Sequence, residues 1–333
     1  MNKKLLALAI GAAVAMPVAA LADGPTLYGK LSLSLENVDD GTTGGTDEWD
    51  VANNASRIGV KGAADTGVSG LQGIYLAEFG VKADDGAGPF SARNIYAGLK
   101  GDFGTVLIGN IDTPTKSVQG TVDQFNDTTI DMTNYLAGEV RAPNVVAYAS
   151  PLIADAVTVT VALWQAEGAP LADGNPGESI GDAVSASVTY KQDSLYLGVG
   201  MDQEVPNVGG HGYDVAGDNY LDIVRAVVGY NTDSFDVGFL YQTADAADTG
   251  STNSDTSMLL SGAYKTGDWK FKAQYATTKA DNIDDTLTMM GIGADYAVGK
   301  ATTLTAGYAT LQDDLTVSAT DGTLLSFGIV QNF

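Results

Sequence analysis

The residues of this chain that are best placed for chemistry are four bases and a group of acids around one long connection. Basic residues are few within the predicted strands, and four of them lie towards the start of the chain, in strands that flank the long connection 111–143: Lys30, Arg57, Arg93 and Arg141. The connection itself carries Asp112, Asp123, Asp127 and Asp131. Opposite charges that face each other across a water-filled gap create a transverse field, which favours polar solutes and sets ion preference. The four bases are therefore candidates for one wall of a pore constriction, and the four acids for the other.

Two of the bases fit this role by their place in an alternating pattern. Residues 27–36 alternate between apolar and polar positions, and Lys30 lies on the polar side. Arg57 shares a side with Gly59, between apolar neighbours. The alternative for each base is an anchor at a membrane interface or a turn residue, and the pattern alone leaves this open.

Arg93 departs from the simple pattern. It shares a side with the apolar residues Ile95, Ala97 and Leu99. A wall packed against another subunit would explain this, and so would a shifted register.

The elements that must position these charges are β-strands. Successive side chains of a strand point to opposite faces, and alternation of apolar and polar residues recurs along the whole chain. It predicts sixteen strands, with centres near residues 31, 57, 76, 96, 106, 146, 161, 187, 198, 226, 238, 260, 272, 291, 306 and 328. Short connections such as 192–194 and 231–234 alternate with long polar ones such as 166–182 and 203–219. Tyrosines and tryptophans cluster at the strand ends, as in membrane-interface belts.

This layout predicts an all-β protein, a transmembrane antiparallel β-barrel of 16 strands. A bilayer admits only helices and closed barrels, because other backbone would leave polar groups unpaired in hydrocarbon. A barrel of this size encloses an aqueous lumen. Residues 111–143 show no strand pattern, and if they fold inward they narrow that lumen.

The first 22 residues have the features of a secretory signal peptide. Lys3 and Lys4 precede an apolar run that ends at Val18, and Ala20-Leu21-Ala22 forms a small-residue cleavage site. The alternative, a membrane anchor, is disfavoured because the run is short and contains Pro17. We therefore expect residues 1–22 to be removed and residues 23–333 to form the barrel.

Composition and charge exclude several functions. The chain has no cysteine and a formal net charge of −24, so disulfides, thiolate metal sites and nucleic-acid binding are not expected. The acids lie mostly in the predicted loops, where they either favour cations or form a solvated surface that binds outer-membrane lipid and lipopolysaccharide through divalent cations. No cofactor is predicted, and no metal site, since the acidic residues lack the spacing of a calcium loop.

Enzymatic activity is not expected either. The only histidine, His211, lies between two glycines in a long loop, and no Gly-x-Ser-x-Gly motif is present. A closer alternative is a substrate-specific channel for a sugar or phosphate. Tyr28, Trp164 and Tyr196 are inward-facing aromatic candidates for such a channel, although they are scattered.

The chain resembles the Gram-negative general porin family in a set of local motifs. They are dense over residues 26–151 and sparse beyond, apart from the C-terminal Phe333. The motifs are Thr26-Leu27-Tyr28-Gly29-Lys30-Leu31, Ser56-Arg57-Ile58-Gly59-Val60-Lys61-Gly62, Tyr96-Ala97-Gly98-Leu99-Lys100-Gly101-Asp102-Phe103-Gly104 after Arg93, Gly109 with Asp112-Thr113-Pro114, and Asn144-Val145-Val146-Ala147-Tyr148 with Ser150-Pro151.

The resemblance implies a homotrimer of sixteen-stranded barrels in the Gram-negative outer membrane, exported through the periplasm, with the long third loop folded into the lumen. It implies a passive diffusion channel for ions and small hydrophilic solutes. By local motif, Lys30, Arg57, Arg93 and Arg141 match the basic cluster of the constriction. Phe333 resembles the terminal signal read by the barrel-assembly machinery.

Two departures bear on selectivity. Asn110 stands where many relatives carry an arginine, and the loop lacks the Pro-Glu-Phe-Gly-Gly-Asp run of enteric members. The first departure removes one positive charge from the basic wall. Together with the excess of acid, this leads us to expect a mild cation preference.

Overall fold

A computed structural model describes residues 24–39, 47–84, 88–208, 212–282, 285–313 and 321–333. The predicted signal peptide and His211 lie outside these residues. The described residues form seventeen strands, joined in one antiparallel sheet. The strands are β1 Thr26–Asp39, β2 Asp47–Asn53, β3 Arg57–Asp65, β4 Gln72–Val81, β5 Phe90–Gly101, β6 Gly104–Asp112, β7 Arg141–Ala149, β8 Val157–Trp164, β9 Ala183–Gln192, β10 Leu195–Pro206, β11 Tyr220–Asn231, β12 Phe235–Ala246, β13 Ser254–Thr266, β14 Trp269–Ala280, β15 Asp285–Ala297, β16 Thr302–Asp313 and β17 Gly322–Asn332.

The helical elements in the described part of the chain are short. They are the α-turn Pro114–Ser117 and the 3-10 turns Met132–Asn134 and Asp214–Gly217. None of them is long and apolar enough to cross a bilayer.

The sheet closes on itself as a barrel of sixteen strands. From β3 onward each strand pairs with the next, and β17 pairs back onto β1. β2 and β3 both pair with the same edge of β1, one above the other, and together make a single strand interrupted at residues 54–56. The predicted sixteen-stranded antiparallel barrel is therefore confirmed.

The two faces of the wall differ as the alternation predicts. In β11, Ile223, Arg225 and Val227 are at most 2% exposed, whereas Val224 and Val228 on the other face are 52% and 46% exposed. The exposed face is apolar on the other strands too, as a surface in contact with lipid must be. Polar side chains and a long inserted segment occupy the interior.

A β-bulge changes the direction of two side chains next to the candidate constriction. Between β4 and β5 the register shifts so that Glu78 lies opposite both Arg93 and Asn94. Ala92 and Ile95 on either side of this bulge pair with outward-facing residues, so the extra residue lets Arg93 and Asn94 both turn inward. This bulge is the reason that Arg93 shares a parity with the apolar Ile95.

An aromatic band follows the outer face near the short turns. The rings of Trp269 and Tyr296 are 4.7 Å apart between centroids, and those of Phe235 and Tyr264 are 5.0 Å apart. Each pair joins neighbouring strands beside a turn, where amphipathic rings suit a membrane interface.

Candidate functional site

Residues 113–140 leave the wall after β6 and return to it at β7. Side-chain caps mark where the two short helical turns within these residues begin. The Thr113 hydroxyl accepts a hydrogen bond from the Lys116 amide (3.2 Å), and Pro114 occupies the first helical position, where no amide donor is required. Asp131 caps the 3-10 turn by accepting from the Thr133 amide (2.8 Å). We call residues 113–140 the inner segment.

The inner segment lies against the inner face of the wall, and side chains of several strands hold it there. The Tyr196 hydroxyl of β10 donates to the Val118 carbonyl (2.9 Å), and the Thr278 hydroxyl of β14 donates to the Tyr135 carbonyl (2.7 Å). On β14 as well, Gln274 Oε1 accepts from the segment's backbone. Seven apolar side chains of the segment that are larger than alanine are at most 2% exposed: Val118, Val122, Phe125, Ile130, Met132, Leu136 and Val140. Burial of such side chains stabilises the arrangement by about 1.5–3 kcal/mol each.

Glycines on the inner face of β10, β12 and β15 let the segment come this close. A Cβ on Gly200 would stand 2.9 Å from Thr115 Cα, and one on Gly238 would stand 2.9 Å from Val122 Cα. Further close approaches join Gly198 to Val118, Gly291 to Ile130 and Gly293 to Phe125. The inward positions of these strands are small because backbone, rather than water, lies against them.

A buried ion pair fixes both ends of the segment to β11. Arg225 Nη1 is 2.6 Å from Glu139 Oε1, and the two side chains are 0% and 1% exposed. The guanidinium also donates to the Ala137 carbonyl (2.8 Å) and the Thr115 carbonyl (3.3 Å), and its Nε donates to Gln242 Oε1 (2.7 Å). Arg225 thus binds the beginning and the end of the inner segment at once. Sequence reasoning did not single it out.

The far part of the segment meets β1 and β3 through Asp127. Its carboxylate lies 2.7 Å from Lys30 Nζ and 2.8 Å from Arg57 Nη1. The backbone of Asp127 is left-handed (φ 64°), a conformation that costs a non-glycine residue energy and aims the carboxylate at both bases. Burial on its own would raise the pKa of Asp127, but Arg57 and Lys30 outweigh it and hold the pKa at about 2.

Glu78 of β4 links the first two bases to the third. Arg93 Nε is 2.6 Å from Glu78 Oε1, Arg57 Nε is 3.9 Å from Oε2, and the Tyr28 hydroxyl donates to Oε2 (2.7 Å). Glu78 was not among the predicted site residues. Its position between the apolar Ala77 and Phe79 was the signal that could have found it.

The fourth base belongs to a second group of ion pairs, which adjoins the first at Arg93 and Asn94. Arg141 Nη2 is 3.0 Å from Asp112 Oδ1, and Lys116 Nζ is 3.4 Å from the same oxygen. Asn94 donates to Asp112 Oδ2 (2.7 Å) and accepts from Arg141 Nε (3.2 Å). Asn110 donates to the Arg93 carbonyl (2.9 Å), so it supports the backbone of the strand that carries Arg93.

Asp123 and Asp131 lie away from the basic residues, which differs from the expectation for them. Asp123 accepts from the Phe125 and Met132 amides (2.8 and 3.0 Å), and Asp131 accepts from the Asp127 amide. Burial, and next the neighbouring Asp131 carboxylate, raise the pKa of Asp123 to about 8. These two acids organise the inner segment itself, because an isolated turn inside a protein needs acceptors for its free amides.

We call the connected charges the charged ring. It contains five bases and three acids whose side chains are 11–23% exposed: Lys30, Arg57, Arg93, Lys116, Arg141, Glu78, Asp112 and Asp127. The ring therefore carries a surplus of two positive charges. Glu36, at 3% exposure, lies next to it but is covered by hydrogen bonds from the hydroxyls of Ser34, Thr129 and Ser326.

The ring offers no catalytic arrangement and no metal centre among the described residues. No group of three or more acids, histidines or cysteines is close enough together there to hold a metal ion. Fixed charges that are already paired, and still partly exposed to water, can act on passing ions by their field. A closed barrel with an apolar exterior and such a ring on its inner wall is the architecture of an outer-membrane channel protein.

Comparison with known proteins gives the family. The Gram-negative porin family model matches residues 7–316, and the chain belongs to this family of outer-membrane proteins. It is 27% identical over 356 residues to the major outer membrane protein P.IB of Neisseria lactamica, covering 100% of both chains. It is 26% identical to P.IB of Neisseria gonorrhoeae, covering 94% of each. Among solved structures, the anion-selective porin from Comamonas acidovorans superposes with a TM-score of 0.77 at 22% identity, over 93% of this chain and 99% of that one.

Proposed function

We propose that this chain forms a water-filled outer-membrane channel for the passive diffusion of ions and small hydrophilic solutes. The inner segment narrows the lumen, and the charged ring lines the narrowest part. The observation that carries the proposal is the pairing of Asp127 with Lys30 and Arg57, since it joins the segment to the wall that it faces. Contacts of this kind act on solutes by weak, multiple interactions, as conduction requires.

The ring's surplus of positive charge supports a weak anion preference. The net charge of −24 led to the opposite expectation, a mild cation preference. Charge at a constriction acts at contact distance between low-dielectric walls, whereas acids in outer loops are screened beyond about 8 Å at physiological salt. The nearby ring therefore outweighs the more numerous but distant loop acids.

A general channel is favoured over a substrate-specific one by what the aromatic residues do. The hydroxyls of Tyr28 and Tyr196 donate to Glu78 and to the inner segment, and the Trp164 ring lies tilted against the Tyr220 ring, 6.3 Å away between centroids. These rings stabilise the wall and the segment. They do not form a continuous track on which a sugar would slide.

Export and assembly follow from the same proposal. Residues 1–22 direct export and are removed, and residues 23–333 assemble as a homotrimer, as the family resemblance implies. Phe333, which is 58% exposed, is presented to the barrel-assembly machinery. Exposed loop acids bind lipopolysaccharide through divalent cations.

Planar-bilayer recording tests the proposal. We expect conductance in steps of three that rises linearly with salt concentration, and no saturable block by sugars. In a KCl gradient, the reversal potential should have the sign of a channel that is more permeable to chloride than to potassium. A purified, folded protein that inserts without conducting would refute the channel. A reversal potential with the sign of a potassium-selective channel would refute only the anion preference.

A further inference from the structure

Three lysines stand close together on the inner wall, away from the charged ring. Lys265 ends β13, and Lys270 and Lys272 begin β14, on either side of a short turn. Lys265 and Lys270 are direct partners across the two strands. Strand β14 is separated from β1, which carries Lys30, by three strands around the barrel. We call these residues the lysine triad.

The triad faces the interior. Lys272 Cε lies against the inner side of Gly293, and its Nζ stands 4.7 Å from the centroid of the Phe125 ring in the inner segment. Lys270 and Lys265 share this face by strand alternation and register. The side chain of Lys265 is 35% exposed, compared with 8% for Lys272.

The charges of the triad are only partly compensated. Lys265 Nζ is 2.7 Å from Asp236 Oδ1, and Lys272 Nζ is 3.0 Å from Asp295 Oδ1. Lys270 makes no ion pair with any residue that the structure describes, although it lies between the two pairs. On the β13 side Lys270 lies opposite Lys265, and like charges in that position destabilise a sheet. On the β15 side it lies opposite Asp295, whose carboxylate is ion-paired with Lys272 instead.

We propose that the lysine triad is a second anion site, which holds a small doubly charged oxyanion as it passes through the lumen. An ammonium group offers three donors and a point charge, and phosphate accepts from several such groups at once. Lys270 supplies the uncompensated charge, and Lys265 and Lys272 supply further donors. The proposal rests on the channel function proposed above and adds a ligand class to it.

Block of chloride current by inorganic phosphate tests the site. Phosphate is added to both sides of a bilayer at an alkaline pH, where it is mostly a dianion, and the half-blocking concentration is measured. We expect Lys270→Gln to raise that concentration about threefold to fivefold, the usual range for one partly exposed charge contact. Lys270→Arg should restore most of the block.

Lys300→Gln is the matched control, because it removes one lysine from another short turn, at an exposed position. It should leave the half-blocking concentration unchanged. If Lys270→Gln does not migrate as a folded, heat-modifiable protein, Lys265→Gln tests the same site. We expect it to raise the half-blocking concentration as well.

The outcomes separate the two proposals. Absence of chloride current from folded wild-type protein would count against the channel itself. Chloride current without phosphate block would overturn the triad site, as would a block that neither Lys270→Gln nor Lys265→Gln weakens. A block weakened only by Arg93→Gln would place phosphate at the charged ring and likewise overturn it.

Discussion

The ring of Phe333 lies directly on Gly29, one residue before the ion-paired Lys30. A Cβ on Gly29 would stand 2.6 and 2.8 Å from Cε2 and Cε1 of that ring. The backbones of the two residues also exchange hydrogen bonds of 2.9 and 3.1 Å, which close the barrel. The C-terminal residue and the first strand thus fit together only because position 29 has no side chain.

This fit predicts that Gly29→Ala destabilises the barrel when Phe333 is present. Overpacking of this kind costs about 1–3 kcal/mol, and removal of the ring in Phe333→Ala should relieve it. A double-mutant cycle on thermal unfolding in detergent measures the coupling. Equal effects of Gly29→Ala in both backgrounds would contradict the prediction.

Asp127 and Arg57 should have opposite effects on selectivity. Arg57→Gln removes positive charge from the ring and should shift the permeability ratio towards cations, whereas Asp127→Asn should shift it towards anions. We expect changes of about twofold to fivefold, or ~0.4–1 kcal/mol at a partly exposed site. Asparagine tolerates the left-handed backbone of Asp127, so the charge alone changes.

Glu178→Gln is the control for this comparison, because Glu178 is an exposed acid in the connection between β8 and β9. Reversal potentials in a KCl gradient supply the measurement. A shift for Glu178→Gln as large as that for Asp127→Asn would mean that loop charge, and not the charged ring, sets the selectivity.

Glu139→Gln should loosen the inner segment. It leaves the Arg225 guanidinium buried without its counter-charge, which costs about 3–5 kcal/mol. We expect a lower unfolding temperature and a noisier, larger single-channel current. Replacement of an exposed loop acid in Glu178→Gln should change neither, and replacing the pair by apolar residues in Glu139→Leu with Arg225→Met should recover much of the stability.

Gly238→Val should displace the segment from the wall, because its side chain would occupy the place of Val122. Gly262, where the nearest contact of an added Cβ is the Asp236 carbonyl at 3.5 Å, gives the control Gly262→Ala. We expect altered conductance for the first variant and wild-type conductance for the second. Unchanged conductance in both would mean that the segment does not depend on Gly238.

Stability should depend on pH through Asp123. Its folded-state pKa of about 8 exceeds the ordinary value, so the folded protein keeps a proton that the unfolded chain loses above pH ~4. Its contribution to stability therefore falls as pH rises from about 4 to about 8. Asp123→Asn should flatten this part of the curve of unfolding temperature against pH.

The contribution of Asp127 to stability should depend on pH in the opposite direction, and at lower pH. Its pKa is about 2, so its stabilising contribution is present above pH ~4 and is lost as pH falls towards 2. Asp127→Asn should remove that acid-side loss. A loss between pH ~4 and 2 as large as that of the wild type would contradict the assignment.

The sequence by itself determined the barrel. Strand number, the lipid-facing side and the position of the long segment follow from a period of two, which depends only on neighbouring residues. Lys30 and Arg57 could be assigned to the interior in the same way. The pattern failed at Arg93, because a bulge changes the parity and a bulge has no signature in alternation alone.

Tertiary structure alone decided which charges meet. Asp123, Asp127 and Asp131 are alike in sequence, yet only Asp127 reaches the bases, because the left-handed turn at 127 and the hydrogen bonds of the other two set their directions. Glu78 and Arg225 have their roles through Arg93 and Glu139, which are 15 and 86 residues away, and the inner-face glycines through contacts with the inner segment. Such distant contacts depend on closure of the whole barrel around the segment, and no local pattern of residues encodes them.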